Sequence, residues 1–235
     1  MVVVARVLAG LQAVFYAVVW FGIVDLLTPF VQDEAEWRSG FLLETGWGLL
    51  FLVLVAMPFG VLAVRPGHPG ALAGLTITAV ALVTGGLWAR EIPQVLNGLA
   101  LGAGVAVVGG LGGWRAPQRR ALDPLLALLS GVGLAGALVL GWDTLEHAVM
   151  LDDVTNGVDH SGVQASLGLA VAASVALAAV TAARLPAWSA AACAVWLAGV
   201  SLAYPDIEGS LGTPGAVGAL VWSALVAVRL LRSRG

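Results

Sequence analysis

Eight stretches of the chain contain no charged residue: 7–24, 45–64, 66–89, 92–114, 124–142, 161–183, 185–205 and 209–228. Each is close to the roughly 20 residues an α-helix needs to cross about 30 Å of hydrocarbon. A bilayer offers the backbone no hydrogen-bond partners, so only helices and closed barrels can span it. Barrel strands alternate polar and apolar residues over about ten positions, and these runs do not. The pattern predicts an all-α integral membrane protein with eight transmembrane helices joined by short connections. Composition agrees. Of the 235 residues 60% are apolar and 11% charged, and the mean hydropathy of +0.96 excludes an ordinary soluble domain.

Charge then sets an expected orientation. If the helices cross alternately, Arg6, Arg65, Arg115, Arg119, Arg120, Arg184, Arg229, Arg232 and Arg234 fall on one side, leaving only Arg38 and Arg90 for the other. The positive-inside rule makes the arginine-rich side cytoplasmic, with both termini there. The acids play no part in that assignment, yet Asp123 alone falls inside and the other thirteen fall outside.

Several classes of function are set aside. The first run has a thin basic start and passes through Trp20 and Phe21 without a small-residue cleavage site, so it reads as an uncleaved span. A single cysteine, Cys193, rules out an intramolecular disulfide. The chain has no lysine, which excludes a lysine nucleophile or a retinal Schiff base. Lysine-free, Ala/Val/Gly/Leu-rich composition is that of a GC-rich bacterial genome and points to a bacterial plasma (inner) membrane. No HExxH, GxSxG, phosphate-binding glycine loop or CxxC pair occurs, and no haem or nucleotide motif. The cytoplasmic arginines are explained by topology and anionic lipid, with no nucleic-acid surface.

One membrane domain covers 1–235. Asp25 closes the first helix and Arg65 the second, as Asp143 closes the fifth and Arg184 the sixth, and each arginine precedes a proline, in "RPG" and "RLP". This spacing suggests halves 1–118 and 119–235 in a 4+4 parallel repeat. Helix 4, "NGLALGAGVAVVGGLGG", carries Gly98/Gly102 and Gly109/Gly113 at the spacing that lets helix backbones touch. Such faces serve packing within the chain, a homo-oligomer or a partner membrane subunit. Pro58 should kink helix 2 and free a carbonyl. Trp20, Trp47, Trp88 and Trp142 near outer ends, with Trp114 and Trp188 near inner ones, form the aromatic belts expected at the two interfaces.

The outer acids are unevenly spread. Five of the fourteen, with two of the three histidines, lie between Trp142 and His160. Asp143, Glu146 and His147 are spaced i, i+3, i+4 and share a face if their helix continues. Glu44 stands in the first outer turn of helix 2, where an acid either snorkels outward or faces a polar interior. His160 begins helix 6, beside Asp159 and one turn before Gln164. The connection between helices 5 and 6 is short enough to bring their outer ends together.

His147, His160, Asp143, Glu146 and Glu44 thus make a candidate divalent-metal set, with Asp25, Asp159, Gln164, Glu91, Asp206 and Glu208 as rim candidates. Two imidazoles with carboxylates suit Zn²⁺, Mn²⁺ or iron, and an all-oxygen set would suit Ca²⁺. The opposing account is a solvated acidic loop in which Asp159 or Ser161 only caps a helix. His68, in the "RPGHPG" turn, reads as a loop histidine. Three functions are compatible with these residues: an outward cation site supporting metal-assisted chemistry on a lipid or small molecule, a cation- or proton-coupled transporter or channel, or an accessory subunit of a membrane complex. The sparsely polar mid-span regions weigh against transport.

Overall fold

The computed structural model describes residues 1–32, 40–146 and 160–233. Eight helical spans are long and apolar enough to cross a membrane: Val2–Val31, Phe41–Val64, Pro69–Ala89, Ile92–Gly112, Pro124–Glu146, Ser161–Val180, Leu185–Ala203 and Gly212–Arg232. No strand forms among the described residues, where a lone antiparallel bridge joins Arg119 to Thr181. The charge-free runs clip some helix ends, because arginine tolerates a terminal turn by snorkelling. Arg6 near the start of the first span is exposed, and Arg229 and Arg232 sit in the last turn of the eighth.

The first two spans are interrupted. The first comprises α1 (Val2–Val14), a π-helical turn at Phe15–Val19, a break at Trp20–Phe21 and α2 (Gly22–Val31). Phe21 there takes the left-handed conformation, φ 60°. Asp25 therefore does not close the first helix. It lies inside α2 and is buried, and the helix runs on to Val31. The second span comprises α3 (Phe41–Gly48), a π-helical stretch at Leu49–Ala56 and α4 (Met57–Val64). Pro58 has no N–H to offer the Leu54 carbonyl four residues back. Thr78 Oγ1 reaches that carbonyl at 3.5 Å from the third span, while bonding Gly74 O at 3.0 Å within its own helix.

The remaining spans are continuous: α5 (Pro69–Ala89), α6 (Ile92–Gly112), α7 (Pro124–Glu146), α8 (Ser161–Val180), α9 (Leu185–Ala203) and α10 (Gly212–Arg232). Prolines open α5, α6, α7 and α9, where the first turn needs no N–H partner. Asp123 caps α7 by accepting from Leu125 N and Leu126 N, both 3.2 Å, and its other oxygen pairs with Arg229 Nε of α10 at 2.6 Å. The single acid of the arginine-rich end thus joins two helices.

Burial divides the bundle. Spans two, three, six and seven are more than half buried, whereas one, four, five and eight are less than a third buried. The order exposed, buried, buried, exposed therefore occurs twice. α5 and α8 pack along each other across the middle, α6 covers α5, α7 covers α8, and α10 covers α9. Phe51, Phe59, Leu50, Leu72 and Leu82 are among the fully buried side chains of the main core. Between the first two spans Tyr16 stacks on Phe51 and Phe59, at 5.7 and 6.2 Å. Such aromatic contacts each add about 0.5–1.5 kcal/mol beyond area burial.

Candidate functional site

The break in the first span positions the site. α2 leaves it alongside α3, so close that a Cβ on Gly48 would stand 2.6 Å from Leu26 Cα. Only glycine permits that approach, and it sets the middle of α2 against the end of α3, one turn beyond Glu44. Asp25 of α2 and Glu44 of α3 are both buried there, with their carboxyl groups close enough to interact electrostatically. The Trp20 carbonyl released at the break accepts from Trp47 Nε1 at 3.0 Å.

His160 arrives from the other half of the chain. It immediately precedes α8, is 7% exposed, and holds Nδ1 3.7 Å from Glu44 Oε1. Its ring stands edge-to-face with Trp47, centroids 4.5 Å apart, so tryptophan fixes the imidazole against the carboxylate. Three ionisable groups thus run in a row, Asp25–Glu44–His160, with Glu44 in the middle. As these side chains stand, no set of three or more His, Cys, Asp or Glu among the described residues is gathered to hold a metal ion.

Buried polar atoms with no protein partner among the described residues continue the row inward. Gln164, one turn into α8, is fully buried and packs directly over Gly46 of α3. Its Nε2 donates to Gly209 O at 3.3 Å, while Oε1 has no hydrogen-bond partner among the described residues. Thr45 Oγ1 is equally buried and equally unpartnered. Such atoms cost roughly 1–3 kcal/mol each unless something fills the need. The turn between α9 and α10 roofs this end. Gly209 lies against Leu42 and Leu43, Tyr204 meets Phe41 edge-on at 5.3 Å, and Tyr204 OH donates to Pro29 O at 3.4 Å.

The other sequence candidates sit elsewhere. Asp143 and Glu146 are exposed on α7, and Glu146 Oε2 accepts from Trp142 Nε1 at 2.7 Å on its own helix. Asp206 is exposed in the roofing turn, where Glu208 is half-buried. Glu91 is half-buried over the first turn of α8, near Gly162, where its charge complements the helix dipole. His147 and Asp159 lie outside the described residues, as does Arg38. Among Asp25, Glu44, His160 and Gln164 the structure brings four of the named candidates to one place.

Sequence reasoning missed Gln94. The neighbouring polar residue Asn97, one turn away, is only half-buried. Gln94 is the buried residue, its Nε2 donating to Ser166 Oγ at 2.6 Å and Gly162 O at 2.8 Å and tying α6 to α8. A glutamine directly after "EIP" at a helix start was the available signal. His68 also departs from the loop reading, since its Nδ1 accepts from Ala71 N at 3.1 Å and caps α5.

This architecture defines a polytopic α-helical membrane protein with ionisable groups enclosed at one end. Comparison with protein-family models, with curated proteins and with solved structures finds no match for the chain.

Proposed function

We propose that the protein holds a cation at its acid-rich end, between Asp25, Glu44 and His160. One observation carries this reading: two neighbouring buried carboxyl groups, with an imidazole beside one of them, inside an apolar bundle. Adjacent carboxylates repel unless a proton or a metal lies between them. Ionisable residues inside membrane spans are expensive and mark functional sites by default.

Two carboxylates with a neutral imidazole form a donor set for Zn²⁺, Mn²⁺ or iron. Gln164 Oε1 and Thr45 Oγ1 are further acceptors whose need a cation would meet. Glu44, touching both neighbours, is the central ligand of the proposed site, and Asp25 or His160 must rotate inward to complete it. A metal held there would polarise a carbonyl or activate water for a lipid or small-molecule substrate at that membrane face.

A proton in place of the metal is the second reading, and the row itself favours it. One proton shared between Asp25 and Glu44 would relieve their repulsion, and His160 is placed to exchange it with the surface. A broken helix beside an intramembrane acid is also a recurring feature of ion-coupled transporters.

Metal content by mass spectrometry separates the readings when melting is followed from pH 5 to 8 for wild type, Glu44→Gln and His160→Ala. The metal reading expects stoichiometric metal in wild type and its loss in both variants. Affinity should fall as pH drops through the histidine range, because protonated imidazole cannot ligate. A metal-free wild type, unmoved by added Zn²⁺, Mn²⁺ or Ca²⁺ but with a pH-dependent melt that Glu44→Gln flattens, selects the proton. Absence of both responses ends the cation proposal.

A further inference from the structure

The opposite end of the bundle holds a groove of about 310 Å³, formed by the turn 65–69 between the second and third spans and by Gly112, Gly113 and Arg115 at the end of α6. Its polar side chains share one chemistry. Arg65 and Arg115 are exposed, and neither makes an ion pair or side-chain hydrogen bond among the described residues. Asp123, the acid expected on this face, is already occupied by Arg229. His68 Nδ1 accepts from Ala71 N, which leaves the proton of the neutral ring on Nε2. Every polar side chain lining the groove is therefore a donor, and two of them carry permanent positive charge.

A groove whose polar side chains all donate, two of them cationic, calls for an anion. Guanidinium forks match the oxygens of phosphate in paired hydrogen bonds, more closely than they match a spherical ion. The volume lies at the lower end of the roughly 300–1,000 Å³ typical of small-molecule sites, which is more than a bare ion needs. Its position at the ends of the second and fourth spans is the depth at which lipid headgroups lie, and basic pockets there attract anionic lipid. Each arginine also follows a helix C-terminus and complements that dipole. That accounts for one arginine per helix end, but not for two opening on one groove with the positive first turn of α5 between them.

We propose that this groove binds a phosphate group, presented by the headgroup of an anionic glycerophospholipid. The test compares wild type, Arg65→Gln/Arg115→Gln and an Arg120→Gln control in nanodiscs of phosphatidylcholine with or without phosphatidylglycerol. Native mass spectrometry reads the retained lipid. Both groove arginines are exposed and unpaired among the described residues, so their removal should leave the fold intact. Wild type and the Arg120 control should retain phosphatidylglycerol in preference to phosphatidylcholine. The double variant should bind it at least about tenfold more weakly, the scale of a lost charge-assisted contact. A second arm adds inorganic phosphate in detergent. Stabilisation of wild type but not of the double variant, without a lipid preference, keeps the phosphate site and assigns it to a soluble phosphate compound. Equal lipid retention in all three proteins with no response to phosphate overturns the proposal, as does an equal loss in the Arg120 control.

Discussion

At the scale of single residues, Gly46 shows how tightly the candidate site is built. A methyl group there would overlap the Gln164 amide, which is enclosed on all sides and bonded to Gly209. Gly46→Ala should therefore destabilise the protein by about 1–3 kcal/mol, the usual cost of overpacking. The sign should reverse once the obstacle is gone. In a Gln164→Ala background the same substitution should be neutral, or stabilising by up to about 1 kcal/mol through helix propensity. A double-mutant cycle by thermal denaturation reads the difference, and additive effects would show that the contact is not what constrains either residue. Glu44 and His160 were legible in the sequence because a charge beside a long apolar run stands out. The Asp25–Glu44 pairing was not. An acid at the edge of a charge-free run looks the same whether its helix stops there or continues with the acid paired.

At the scale of elements, hydropathy located all eight spans but did not reveal that the first two are broken. Hydropathy registers side chains, whereas π-turns and a left-handed Phe21 are backbone events that leave it unchanged. Pro58 was the exception, since proline announces its missing N–H in the sequence. Its consequence lands on Thr78, which reaches the Leu54 carbonyl from the neighbouring helix. Thr78→Val keeps the shape and removes the donor, and should cost roughly 0.5–1.5 kcal/mol. In a Pro58→Ala background the restored N–H serves Leu54, and the cost of Thr78→Val should shrink. An unchanged cost in both backgrounds would mean that Thr78 acts only through its bond to Gly74 within α5.

At the scale of the whole molecule, composition gave the class and the charges gave an orientation still to be measured. Nine arginines against two predict that both termini are cytoplasmic. Reporters fused after Arg120 and after Gly157 should give cytoplasmic and extracytoplasmic signals respectively, and matching signals from the two sites would discard the topology. The division into four enclosed and four lipid-facing spans was beyond the sequence, because an all-apolar helix carries no polar face to mark which side is inward. Every span reads alike until its neighbours are known.

The hairpin geometry of the first two spans also bears on how the chain enters its membrane. Asp25 and Glu44 belong to neighbouring spans, so each meets its first polar partner as soon as that hairpin forms. His160 follows Glu44 by more than a hundred residues, which at a synthesis rate of about 5–20 residues per second is a delay on the order of 5–25 s. During that interval Asp25 is the acid's nearby polar companion in the growing chain. With a proton held between them, the two carboxyl groups would shelter a costly side chain until the second half of the molecule has been made.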